Sequence, residues 1–163
     1  GLASIELDVE GKTATITLNA KDYKWSDGQP FTIDDYIFAI EAIGNKDYTG
    51  SRYNDRYTNI VGMKDFHEGK SDKISGVEKV DDYTVKLHFE KMLPSMQLAG
   101  GAIPAYTMPK HIFKDIPVKE WEQSEYVRGS KVVGLGAFTI ESVVAGESVT
   151  LKANEYFYKG RPK

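Results

Sequence analysis

Apolar and polar residues alternate in two early runs. Ile5, Leu7 and Val9 form the first, which ends at Glu10-Gly11; Ala14, Ile16 and Leu18 form the second, set against Thr13, Thr15 and Thr17. A period of two over these lengths predicts a β-hairpin with one buried face. After Thr32 the period changes. Ile33, Tyr36, Ile37 and Ile40 fall at i, i+3, i+4 and i+7, one face of a helix. Thr32 suits the N-cap, Thr32-x-x-Asp35 approximates a capping box, and Asp34 and Asp35 sit where the helix dipole is positive. Gly44 and Asn45 close the helix. Ser26-Asp27-Gly28 is a turn signal in which Gly28 is expected to hold positive φ, and Pro30 fixes one more dihedral. Trp25, Ile33, Ile37 and Ile40 are expected to pack on Ile16, Leu18, Leu87 and Phe89.

Residues 45–62, NKDYTGSRYNDRYTNIVG, have no clean period and are rich in turn formers. They read as a loop with one short helix near residues 52–60. A helical turn at 65–68 stops at Gly69 and would leave His67 at a solvated helix end. Alternation returns at 75–80 and 83–90, reversed at Asp81-Asp82, with Tyr83, Val85, Leu87 and Phe89 on one face. Further on, a short helix at 93–99 opened by Pro94, a strand at 102–106, and short helices carrying His111 and Trp121 are expected. In Lys131 to Ile140, KVVGLGAFTI, the glycines flanking Leu135 require a backbone that bends or is approached closely. A third hairpin follows, Phe138–Val144 with Ser148–Ala153.

Composition narrows the function classes. The 163 residues would ordinarily make one domain, and 40% apolar with 28% charged residues is the balance of a soluble globular protein. A net charge of −3 builds no field for nucleic acid, so no nucleic-acid partner is expected. No apolar run approaches the roughly 20 residues of a membrane helix. There are no cysteines, hence no disulfide or thiolate metal site. The chain opens on Gly1-Leu2-Ala3 without a Met, which points to a piece of a longer protein.

Candidate chemistry is thin. The adjacent Asp81 and Asp82 lie in a hairpin turn, where neighbouring acids point apart and are solvated. His67, His88 and His111 have none of the short spacings of a zinc site, so no metal is expected. Gly134-Leu135-Gly136 lacks the Lys-Ser/Thr ending of a phosphate loop and opens a strand. Neither a nucleophile elbow nor a metal-ligand pattern supports a hydrolase, so no enzyme and no cofactor is expected. The ten tyrosines are the one oddity: a Tyr pairs large apolar surface with a polar tip and serves domain edges and binding surfaces alike.

Four ordered blocks carry a resemblance. KWSDGQPFTIDDYIFAIE resembles the W-[SH]-D-G-x-P-[FL]-T-A-x-D block of the extracellular solute-binding proteins of family 5, with Trp25, Asp27, Gly28, Pro30, Thr32 and Asp35 matching. ISGVEKVDDYTVKLHFEK resembles the same family's second hairpin, and MPKHIF its turn into a helix. VVGLGAF and LKANEYFYKGRP resemble its crossover and its ending; Val133, Gly134, Gly136 and Phe138 match, while Val132, Leu135 and Glu155 depart. The resemblance implies an α+β segment, of mixed β-hairpins and short helices, from a two-lobed, periplasmic-binding-protein-like type II receptor that hands peptides or similar solutes to the membrane permease of an ABC importer. Residues 1–130 would be the extra (middle) domain and 131–163 a crossover and hairpin returning to the first lobe, with the second ligand-binding lobe outside this chain. It further implies an extracytoplasmic monomer, periplasmic or a cell-surface lipoprotein, binding by hinge closure. Its candidate ligand contacts are Tyr53 and Tyr57 in the loop, Tyr106, and Gly134 and Gly136 at the crossover. The alternative is a free-standing, aromatic-rich module for carbohydrate or peptide.

Overall fold

The computed structural model describes all residues except 99–100, 128–130, 145 and 163. The chain divides into two compact units. The first comprises Gly1–Lys21 and Thr32–Met108, the second Asp22–Phe31 and Pro109–Lys163.

The first unit is a four-stranded antiparallel sheet and a helix. The strands β1 (Ala3–Asp8), β2 (Thr13–Leu18), β3 (Val77–Asp81) and β4 (Thr84–His88) lie in the order β1-β2-β4-β3. Both early hairpins therefore form, and their second strands pair in the centre, Ile16 opposite Val85 and Ala14 opposite Leu87. The alternation works as expected there: Ala14, Ile16, Leu18, Val85, Leu87 and Phe89 are all buried. It fails at the β1 edge, where Ile5 and, just beyond the strand, Val9 are 45% and 48% exposed, because an edge strand has a neighbour on one side only.

Helix α1 (Ile33–Gly44) starts and stops where its caps predict. The Thr32 amide donates to Asp35 Oδ2 at 3.0 Å, the return arm of the capping box. Lys79 Nζ bridges Asp34 and Asp82, 3.0 Å from each, and the Ile33 amide donates to the Asp82 carbonyl. These contacts tie the first turn to the β3–β4 reversal. The paired aspartates are thus a hairpin turn and a helix dock. The buried face runs through Ile33, Tyr36, Ala39, Ile40 and Ile43. Ile37 is only half-buried, so the expected stripe is corrected by the 100° step of the helix: its centre drifts past Ile37 towards Ile43.

Two short helices follow, α2 (Asp55–Thr58) and α3 (Met63–His67), then a 3₁₀ turn at Pro94–Gln97. The end of the helix expected at 93–99 lies outside the described residues. His67 does not sit in solvent as expected: its Nδ1 bonds the Gly44 carbonyl at 2.9 Å and closes the C-terminus of α1. Residues 102–106 form no strand. Pro104 has no amide to offer a ladder, and its carbonyl instead accepts from the buried Tyr36 hydroxyl at 2.5 Å.

The second unit is built on aromatic side chains. Trp25 belongs here, with its ring edge-on to Phe31 at 5.5 Å. Helix α4 (Lys110–Phe113) and a 3₁₀ turn, Val118–Gln123, set Phe113 edge-on to Trp121 at 5.4 Å. The final hairpin, β5 (Phe138–Val144) with β6 (Ser148–Ala153), has the expected bounds and a bulge between Ile140 and Ser142.

Candidate functional site

The Ser26-Asp27-Gly28 turn joins three distant pieces of the second unit. The Ser26 amide donates to the Gly134 carbonyl at 2.9 Å, and the Gly134 amide donates to Ser26 Oγ at 3.0 Å. Asp27 Oδ2 lies 2.6 Å from His111 Nε2. Gly28 holds φ +83°, as expected, and a Cβ there would stand 3.1 Å from the Tyr156 hydroxyl. The most recognisable motif of the sequence is therefore a structural clamp.

Gly134 and Gly136 sit at the end of that clamp. The chain bends just after Gly134, and Asn154, buried, donates from Nδ2 to the Gly136 carbonyl at 2.8 Å. Neither glycine lies at the positive φ that favours glycine, and a Cβ on either would find its nearest neighbour at 3.9 Å. Nothing in the second unit requires a residue without a side chain at these positions, so the bend expected there occurs without a close approach.

The three candidate tyrosines separate in the first unit. Tyr53 stacks on His67 with ring centroids 3.9 Å apart, which ties it to the cap of α1. Burial, with the Glu68 carboxylate as a lesser cause, raises its pKa. Tyr57 and Tyr106 come together. They line a pocket of about 160 Å³ with Arg52, Asn54, Arg56 and Ala105. Asn54 positions the first wall, its Oδ1 accepting the Arg56 amide at 3.1 Å as the N-cap of α2. The opposite wall is the segment pinned by the Tyr36–Pro104 bond and by the Met108 amide, which donates to the Asp35 carbonyl.

Arg52 links the walls. Its guanidinium lies over the Tyr106 ring at 4.1 Å, and its Nη2 donates to the Tyr106 hydroxyl at 2.9 Å. Tyr57 forms the floor and is 4% exposed. Desolvation pushes its hydroxyl up to about 12, against the opposing pull of the Arg52 and Arg56 charges, so it stays protonated at neutral pH. Two hydrogen-bonding cations, two phenols and an amide can recognise a polar or anionic group; they supply neither a nucleophile–base pair nor a metal cage. Among the described residues no group of three His, Cys, Asp or Glu is placed to hold a metal.

The arginines escaped the sequence reading, although SRYNDRY repeats Arg-Tyr at a spacing of four and so carried a signal. The partner Tyr106 lies 54 residues away in sequence and carries no local signal.

The whole chain, residues 1–163, matches the family of bacterial extracellular solute-binding proteins, family 5 Middle. The chain belongs to this family. It is 40% identical over its full length to the oligopeptide-binding protein OppA of Lactococcus lactis subsp. cremoris, covering 28% of that protein. It is 28% identical over 99% of its length to the oligopeptide-binding protein AppA of Bacillus subtilis, covering 26%. The solved lactococcal OppA, closed on an endogenous peptide, superposes with a TM-score of 0.87 at 40% identity, over 97% of this chain and 30% of that one. Bacillus subtilis AppA with a nonapeptide gives 0.77 at 27% identity, over 99% and 29%. This family-5 chain thus has the α+β fold of a segment of a type II periplasmic-binding-protein-like receptor, and spans under a third of the length of these relatives. Family and relatives alike are solute-binding proteins, and the family is extracellular.

Proposed function

We propose that this chain is part of an extracytoplasmic receptor that captures oligopeptides and delivers them to the permease of an ABC importer. The observation that carries this reading is the full-length match, at 40% identity, to a segment of a protein named for oligopeptide binding. The same match weighs against a free-standing carbohydrate or peptide module. Residues 1–130 would serve as the middle domain and 131–163 would return to the first lobe, with the closing lobe encoded elsewhere in the receptor. The receptor would be a non-enzymatic monomer, periplasmic or lipid-anchored at the cell surface.

Peptide capture by such a receptor is a population shift. A ligand that touches both lobes favours the closed state by its differential contacts. Tyr57 and Tyr106 are the ligand-facing candidates in the first unit, and Gly134 and Gly136 in the second, where two glycines without a steric reason in their own unit leave the backbone open to approach. Tyr53 is the weaker candidate, since His67 already occupies its ring face.

Calorimetric titration of the intact receptor with oligopeptides of four to nine residues tests the reading. Saturable binding by the receptor, with none by residues 1–163 alone, is the expected result. A receptor that ignores peptides but binds a sugar would overturn it.

A further inference from the structure

The pocket between Arg52 and Tyr106 has a chemistry that peptide capture by itself does not explain. Among the described residues neither Arg52 nor Arg56 forms an ion pair, and both line the pocket. A guanidinium left without a counter-ion beside a pocket is a placed positive charge.

Arg52 is also held in position. Ring stacking and the hydrogen bond to the Tyr106 hydroxyl fix one face and one nitrogen of its fork, leaving its other donors available. A pre-set fork loses less side-chain freedom when it engages a planar two-oxygen acceptor, and this is the geometry in which arginine binds carboxylates bidentately. Arg56 adds a second charge, its backbone fixed by the Asn54 cap. Tyr57 contributes a neutral hydroxyl at the floor. At about 160 Å³ the space lies below the roughly 300–1,000 Å³ of a site that encloses a whole ligand, and it suits a single head group.

We propose that Arg52, Arg56, Tyr57 and Tyr106 form a carboxylate subsite, which receives an acidic side chain or the C-terminal carboxylate of a bound peptide. This rests on the peptide-receptor reading and names the ligand group taken by this part of it. The subsite gives the receptor a preference for acidic peptides that fades with added salt, because the arginines are exposed.

The test uses the intact receptor, its R52Q/R56Q variant and three sets of peptides of one length. The first set is amidated and free of acids. The second differs only in a free C-terminal carboxylate. The third is amidated with Glu replacing Gln at each position in turn. Calorimetry should show at least one acidic peptide binding the wild-type receptor about tenfold more tightly than the neutral set, the scale of a single charge-assisted contact. The double variant should bind all three sets alike, with its melting temperature unchanged. The favoured set tells the C-terminus from the side chain. Acidic peptides that bind the wild type no better than neutral ones, or that keep their advantage in the variant, would overturn the subsite while leaving the receptor reading intact. A receptor that binds none of the sets would remove both.

Discussion

The two units solve the problem of burying apolar surface in different ways. The first has a sheet-and-helix core in which Ile33, Ile40, Ile60, Met63, Val85 and Leu87 are fully buried. The second has aromatic pairs and a two-stranded hairpin on which Phe138, Val149 and Leu151 are each more than half exposed. A two-stranded ribbon without a covering layer gains little from its apolar face. The comparison teaches that the first unit draws its stability from packing between elements, and the second from the clamp at residues 26–28 and from Asn154.

Substitutions can break or sharpen that contrast. The largest effect belongs to the packed core: Ile40→Ala should cost about 2–5 kcal/mol in denaturant unfolding, mostly through the cavity it leaves. Ile37→Ala, at a half-buried site, should cost clearly less, and equal costs would erase the corrected helix face.

Gly28→Val comes next, at about 1–3 kcal/mol, since it forces a branched side chain into positive φ against the Tyr156 ring. A neutral outcome would show that the clamp does not hold the second unit. Tyr57 gives a subtler signal in alkali. Its protonated form is favoured in the fold, with a pKa raised from 10 to about 12, so between these values the unfolded chain loses the proton first. The folded state then binds more protons than the unfolded one, and stability falls as pH rises. Tyr57→Phe should flatten that part of the decline, measured by unfolding between pH 9 and 12. The smallest effect is expected on the hairpin, where Leu151→Thr should change stability by no more than about 0.5 kcal/mol.

The sequence made the local structure legible and left the long-range structure hidden. Helix α1, its capping box and the three hairpins were readable because period and turn chemistry act over a few residues. Exposure of Ile5 and Val9 was not, since alternation marks a face and says nothing of which strand ends at the edge. Residues 102–106 resembled a strand by composition, yet their hydrogen bonds were settled by Tyr36, 68 residues from Pro104 in sequence. The candidate site divides in the same way. Tyr57 and Tyr106 were visible as aromatic residues in loops, but their meeting, and the arginine that joins them, depended on how α1 holds both walls. The motif at residues 24–35 carried the family signal because it fastens the fold, and so it pointed past the pocket.

Whether the pocket contacts peptide is tested most directly at Tyr106, which is 43% exposed and can be truncated without opening the core. Tyr106→Ala in the intact receptor removes one wall of the pocket and the ring that orders Arg52. Calorimetry should show peptide affinity reduced about tenfold, roughly 1.4 kcal/mol, with the melting temperature nearly unchanged. Unaltered affinity would contradict a ligand-facing role and return Tyr106 to holding Arg52 in place.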